Sequence, residues 1–93
     1  IASLAATMGN AGLSDYCASK SAAYGLSESL RIEMKHLNAN VKVTCINNCF
    51  TNNGMFKGVK ETLLWPLLDE KKVATRIIQA IGQNEGEVSI YWL

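Results

Sequence analysis

Three side chains near the start of the chain have the types and the spacing of an acid–base site. They are Ser3, Tyr16 and Lys20, within the stretch SLAATMGNAGLSDYCASK. Tyr16 and Lys20 are four residues apart, so on a helix both side chains leave the same face. An ammonium beside a phenol favours the phenolate, which lets the phenol give and take a proton near neutral pH. We expect Ser3 to hydrogen-bond the oxygen that exchanges this proton.

The Tyr-x-x-x-Lys spacing taken alone also fits an interface tyrosine and a solvated helix lysine. Its surroundings favour the chemical interpretation, because Ser3 precedes Tyr16 by thirteen residues with two glycines between them. In this arrangement the chain resembles the short-chain dehydrogenases/reductases. The segment LSDYCASKSAAYGLSESL, followed later by NNGMF, is most similar to the branch of retinol and 17β-hydroxysteroid dehydrogenases. The resemblance runs from Ile1 to about Ile81.

The resemblance implies a role for each of these residues. Tyr16 matches the general acid/base, Lys20 matches the lysine that holds the nicotinamide ribose and lowers the pKa of the tyrosine, and Ser3 matches the serine that positions the substrate oxygen. Asn53 stands where the family has a threonine that contacts the nicotinamide amide, which an asparagine is also able to bind. Asn48 and Cys49 stand where the family has Pro-Gly, or Pro-Phe or Pro-Tyr in this branch.

The function implied is hydride transfer between a nicotinamide cofactor, NAD or NADP, and a lipophilic alcohol, ketone or aldehyde of retinoid or steroid type. The glycine-rich turn that binds the pyrophosphate in such folds is not among these 93 residues, so we expect the segment alone to be inactive. The alternative is a non-catalytic remnant or pseudoenzyme that only packs with partner subunits. The departures at Asn48 and Cys49 keep that alternative open.

The resemblance also implies partners and a location. The helix that starts near Asp15 packs against a second subunit in the family, which implies a homo-oligomer. The branch implies the endoplasmic reticulum membrane or lipid droplets. The chain starts at Ile1 rather than Met, and we expect any membrane association to come from a segment before it.

Composition indicates one globular unit and argues against nucleic acid as a partner. The chain has 93 residues, a net charge of +1 and 48% hydrophobic residues. Three cysteines are an odd number, which favours a reducing, intracellular compartment over a disulfide framework. Cys45 and Cys49 lack further ligands nearby in sequence and are interpreted as small buried side chains rather than a metal site. His36 is expected to complement a helix end.

The remaining pattern predicts the elements that position the site. Ser3, a helix and the apolar run VKVTCI form a β-α-β unit of a parallel sheet. With the resemblance, this implies an α/β fold in which residues 1–93 are the C-terminal, catalytic-motif portion of a single Rossmann-type dinucleotide-binding domain, without its N-terminal half. The predicted elements are a strand end at Ile1–Ser3, a loop over Leu4–Leu13, a helix capped by Ser14 and stopped by Asn38–Asn40, a strand at Val41–Ile46, an apolar flap or core segment at Met55–Leu68, a helix from Asp69 to Gly82, and a strand at Glu87–Leu93.

Overall fold

The computed structural model describes residues 1–49 and 68–90. Its elements are a short 3-10 helix at Leu4–Ala6, α1 at Ser14–His36, β1 at Cys45–Asn48, α2 at Glu70–Gly82 and β2 at Glu87–Ile90. Asn53, nearly all of the apolar segment from Met55 to Leu68, and the last three residues of the predicted final strand lie outside the described residues.

The two strands are parallel neighbours, with Cys45 opposite Glu87 and Asn48 opposite Ile90. The chain crosses from β1 to β2 by way of α2. On the other edge of β1, the Ala2 N–H donates to the Ile46 carbonyl at 2.8 Å, so the first residues run beside the sheet as the predicted strand end would. Parallel strands joined through helices confirm the α/β class.

The core lies where α2 packs on the sheet. Ala80 has no exposed surface, which allows the helix backbone to approach the strands closely. Along β2, buried and exposed residues alternate, as a strand covered on one face requires. The buried cluster consists of Ile46, Cys49, Leu68, Val73, Ala80, Val88 and Ile90.

β1 begins later than the sequence predicts. The apolar run suggested a strand at Val41–Ile46, yet Val41 is 55% exposed and pairing starts at Cys45. The reason is the position of the partner strand: the Cys45 N–H donates to the Gly86 carbonyl, immediately before β2 begins. The polar residue Asn47 therefore enters the sheet, where it is fully buried.

A hydrogen-bond network makes this buried amide acceptable and ties α1 to the sheet. The Asn47 side-chain amide donates to one oxygen of Glu87 at 3.1 Å, and the Tyr24 hydroxyl of α1 donates to the other at 3.0 Å. The Cys45 thiol faces the Asn47 amide oxygen at 3.7 Å. The bond to the Glu87 carboxylate raises the pKa of Tyr24 above 10.0, which favours the neutral, donating phenol. Asn47 is thus buried with its polar atoms paired.

The ends of α1 follow the sequence closely, with one correction. Ser14 is the first helical residue and not the cap, because Leu13 holds the capping position and its carbonyl already accepts from the Cys17 N–H at 2.8 Å. The helix stops as predicted: Asn38 adopts a left-handed conformation with φ of 50°, and the Ala39 N–H returns to the Met34 carbonyl. His36 lies in the last turn, as expected.

Leu26, Leu30 and the C-cap residue Leu37 form an apolar stripe along α1, and this leucine stripe is exposed. Leu26 is 61% exposed and Leu37 is 72% exposed, so neither contributes to the core described above. None of the helices described over residues 1–49 and 68–90 is long and apolar enough to cross a membrane.

α2 has the predicted start and a modified end. The Asp69 carboxylate accepts from the Lys71 N–H at 3.0 Å, which confirms it as the cap. Gly82 is the last helical residue, but the left-handed stop is Asn84, with φ of 53°. Asparagine tolerates this conformation, so the turn does not need a glycine at that position. Here the Glu85 N–H donates to the Ala80 carbonyl at 3.0 Å.

An ion pair joins α2 to the turn that leads into β2. Arg76 donates two hydrogen bonds to the Glu85 carboxylate, at 2.7 and 2.9 Å. These bonds hold the pKa of Glu85 below its ordinary value of 4.5. Because the folded value is the lower one, the pair stabilises the fold above pH 4.5, and the contribution disappears as the pH falls through the folded value.

We predict that Arg76→Leu removes this pH dependence. Between about pH 6 and about pH 3.5, the melting temperature of the parent protein should fall further than that of the variant. Lys72→Met, which removes a charge from the same helix without touching the pair, should behave like the parent. Equal falls for the parent and Arg76→Leu would show that the ion pair contributes nothing to acid sensitivity.

Candidate active site

A cavity of about 260 Å³ opens where the 3-10 helix, the start of α1 and the end of β1 meet. Ser3 and Tyr16 both line it, although they come from different elements and are far apart in sequence. The other lining residues are Leu4, Ala5, Met8, Gly9, Asn10, Leu13, Asn48 and Cys49. A hydroxyl and a phenol thus face one space whose remaining walls are largely apolar.

Ser3 is held at the point where the first segment turns away from the sheet. Its backbone is extended, with φ of −163°, and its side chain caps the 3-10 helix by accepting from the Ala5 N–H at 3.2 Å. The same hydroxyl donates to the main-chain carbonyl of Asn48 at 3.4 Å. Ser3 is therefore fixed both by its own turn and by the end of β1.

Tyr16 and Lys20 occupy the first turns of α1, where the four-residue spacing brings them together as predicted. The Lys20 ammonium lies 5.7 Å from the centre of the Tyr16 ring, within the range of a cation–π contact. The same ammonium donates to the Ile1 carbonyl at 3.4 Å, which links α1 to the first segment. Both side chains are partly exposed and so remain open to a ligand.

The structure gathers most, but not all, of the site residues named from sequence. Ser3 and Tyr16 share the cavity, and Lys20 stands beside Tyr16 without lining the cavity itself. Asn53 lies outside the described residues. Sequence reasoning did not assign a site role to Met8 or Leu13, since an apolar residue in a loop carries no chemical signal of its own.

Cysteines do not form a metal site in the described residues. Cys17, Cys45 and Cys49 are all unpaired and buried, which confirms the interpretation of Cys45 and Cys49 as small buried side chains. Over residues 1–49 and 68–90, no group of three or more His, Cys, Asp or Glu side chains is placed to hold a metal ion.

A glycine sets the turn that brings the chain from the cavity loop into α1. Gly12 has φ of 80°, a conformation that a side chain makes costly, and the Leu13 N–H closes the turn on the Asn10 carbonyl at 3.1 Å. Gly9 lies in the same loop without such a φ, and neither glycine has a heavy atom within 4 Å of where a Cβ would stand. Gly12 and Gly9 therefore differ in backbone conformation, whereas both have room for a Cβ.

Comparison with known proteins gives a family match for the chain. Residues 1–64 match the family model described as short chain dehydrogenase. Short-chain dehydrogenase/reductase family 16C member 6 of Bos taurus is 44% identical over 88 residues, which cover 91% of this chain and 28% of the relative. Epidermal retinol dehydrogenase 2 of Mus musculus is 42% identical over 88 residues, with the same coverage of 91% and 28%.

A third relative is 17-beta-hydroxysteroid dehydrogenase 13 of Rattus norvegicus, 37% identical over 71 residues, which cover 75% of this chain and 23% of the relative. No solved structure matches the chain. The chain spans less than a third of the length of these curated relatives, from 23% to 28%.

We predict that Gly12→Ala destabilises the protein by about 1 kcal/mol, because alanine resists a positive φ. Gly9→Ala, in the same loop, should have a clearly smaller effect. Urea unfolding of both variants measures the difference. Equal destabilisation would mean that the left-handed turn at Gly12 does not constrain the loop.

Proposed function

The chain belongs to the short-chain dehydrogenase family, and from that premise we propose that it carries the catalytic motif of an oxidoreductase acting on lipophilic alcohols, ketones or aldehydes. The observation that supports this most is the shared cavity of Ser3 and Tyr16, with Lys20 beside the phenol. Family membership confirms the predicted resemblance and agrees with the predicted Rossmann-type α/β class. We propose that residues 1–93 are the C-terminal portion of a single dinucleotide-binding domain.

In the proposed reaction, Tyr16 moves the proton. During alcohol oxidation, its phenolate oxygen accepts the hydroxyl proton; during carbonyl reduction, its phenol donates a proton to the oxygen. Ser3 donates its O–H to the same oxygen and holds it within reach of Tyr16. The Lys20 ammonium, 5.7 Å from the ring, stabilises the negative charge that develops on the phenolate.

The donors in this region fit the nicotinamide end of NAD or NADP. Lys20 has three N–H groups and gives one to the Ile1 carbonyl, which leaves two for ribose hydroxyls. We propose Asn53 as the contact of the nicotinamide amide. When bound there, the cofactor would supply the hydride acceptor or donor for the substrate carbon. The pyrophosphate has no glycine-rich turn within these 93 residues, so its binding is assigned to another part of the domain.

The walls of the cavity support a lipophilic substrate. Leu4, Met8 and Leu13 line it, and they offer an alkyl or ring system apolar contact while the two hydroxyls hold its oxygen. The relatives named a retinol dehydrogenase and a 17-beta-hydroxysteroid dehydrogenase support a retinoid-like or steroid-like substrate.

A non-catalytic remnant is the second candidate, because Asn48 and Cys49 depart from the family's Pro-Gly. The structure gives a reason to favour the enzyme. The Asn48 side-chain amide donates to the Cys49 carbonyl at 2.9 Å and so closes the end of β1 without a proline. The Cys49 N–H also keeps its bond to the Ile90 carbonyl at 2.8 Å.

We further propose a homo-oligomer formed through α1, whose exposed leucine stripe offers apolar surface to a second subunit. By resemblance, the proposed location is the endoplasmic reticulum membrane or lipid droplets.

We predict that Tyr16→Phe in the full-length protein lowers turnover by at least about 100-fold with little change in cofactor affinity, because only the proton-transfer oxygen is lost. Retinoid and steroid alcohols with NAD and NADP are the test substrates, and cofactor fluorescence gives the affinity.

Tyr24→Phe is the matched control. It removes a phenol oxygen from the same helix, but that oxygen bonds to Glu87 and does not line the cavity. Turnover of Tyr24→Phe should stay close to that of the parent. Full turnover in Tyr16→Phe would eliminate the assignment of Tyr16 as the acid and base.

A further inference from the structure

We propose that Asn48 is a positioning residue for the reaction: it acts through Ser3, by fixing the main-chain carbonyl that holds the serine hydroxyl until substrate arrives. This inference rests on the proposed function, in which Ser3 donates its proton to the substrate oxygen. It assigns a role to a residue that departs from the family's sequence at this position.

The Ser3 hydroxyl can make only a limited number of hydrogen bonds. A serine hydroxyl has one proton to donate and two lone pairs that accept. One lone pair takes the Ala5 N–H at 3.2 Å, and the proton goes to the Asn48 carbonyl at 3.4 Å. Ser3 therefore has no second proton for a substrate oxygen, and the Asn48 carbonyl and the substrate compete for the same one.

The hydrogen bond from Ser3 to the Asn48 carbonyl is weak. At 3.4 Å, the contact from Ser3 to Asn48 is longer than the roughly 2.7–2.8 Å typical of O–H···O bonds. A substrate oxygen at a typical distance is the better acceptor, so the hydroxyl turns from the carbonyl to the substrate at small cost. The carbonyl keeps the free hydroxyl oriented without trapping it.

Pairing with β2 determines the direction of the Asn48 carbonyl. The Asn48 carbonyl and the Cys49 N–H belong to one planar peptide group and point in opposite directions. Because the Cys49 N–H donates to the Ile90 carbonyl at 2.8 Å, the β2 edge takes one side of this peptide and the Asn48 carbonyl is turned toward Ser3 on the other. Pairing with β2 thus orients the serine partner.

The side chain of Asn48 supplies a second restraint on this part of the backbone. Its amide donates to the Cys49 carbonyl at 2.9 Å, which restrains the next peptide group, on the other side of the Cys49 Cα. Asn48 is the last residue of β1, and the bond from the Cys49 N–H to the Ile90 carbonyl is the last ladder bond in the described residues. This hydrogen bond therefore restrains the backbone where the family has a proline, and the Asn48 side-chain bond helps to keep the Asn48 carbonyl directed at Ser3.

A double-mutant cycle in the full-length protein tests the inference. The four proteins are the parent, Asn48→Ala, Ser3→Ala and the double variant, assayed for reduction of retinal and of a steroid ketone with NADH and NADPH. We expect Asn48→Ala to lower kcat/KM, which is measured from the free enzyme, by about 5-fold when Ser3 is present, the scale of one lost hydrogen bond, and by less than about 2-fold in the Ser3→Ala background. Cofactor affinity should not change.

Two further variants keep the test independent of folding. Asn48→Asp preserves the size of the side chain but cannot donate to the Cys49 carbonyl, so it should lower kcat/KM as Asn48→Ala does. Asn40→Ala removes an exposed asparagine that does not line the cavity, and it should leave kcat/KM unchanged. Circular dichroism and cofactor binding identify any variant that has lost its fold.

The outcomes separate this inference from the proposed function. An unchanged rate in Ser3→Ala would overturn the proposed role of Ser3 and, with it, the present inference. If Ser3→Ala is slow but Asn48→Ala and Asn48→Asp lower kcat/KM equally in both backgrounds, or not at all, only the role of Asn48 is overturned. A loss that requires Ser3 supports it.

Discussion

The hydrogen bond from the Cys49 N–H to the Ile90 carbonyl, 2.8 Å long, is the contact on which the candidate site depends. It is the last bond of the parallel ladder among the described residues, and it fixes the peptide group whose carbonyl accepts from Ser3. The same ladder determines where β1 ends and therefore where Asn48 and Cys49 line the cavity. Without this pairing, the first segment would keep its own turn and the bond from the Ala2 N–H to the Ile46 carbonyl, but the carbonyl that accepts from Ser3 would no longer be fixed.

The sheet can carry the site because its buried polar group is paired. Asn47 has no exposed surface, and its amide reaches the Glu87 carboxylate, which also receives the Tyr24 hydroxyl. An unpaired amide at this depth would cost about 1–3 kcal/mol. The network also connects α1, β1 and β2, at a point two turns along α1 from Tyr16.

Local signals in the sequence predict much of this arrangement. Asp69 before α2 and Asn38 after α1 act through bonds within a few residues, and the four-residue spacing of Tyr16 and Lys20 alone places them together on a helix. The limits of β1 depend instead on a partner strand about forty residues away, and the apolar run VKVTCI carries no information about where that strand begins. The same holds for the contact between Ser3 and Asn48, which joins residues 45 apart.

The central claim is that a proton held by Tyr16 and an oxygen held by Ser3 serve hydride transfer to a lipophilic carbonyl. Incubation of the full-length protein with cofactor deuterated at the transferable position, NADH and NADPH in turn, and with retinal or a steroid ketone tests it most directly. Mass spectrometry of the alcohol product gives the answer. We expect one deuterium, on the carbinol carbon of the product. Product alcohol without deuterium, or no product from either substrate with either cofactor, would contradict the account.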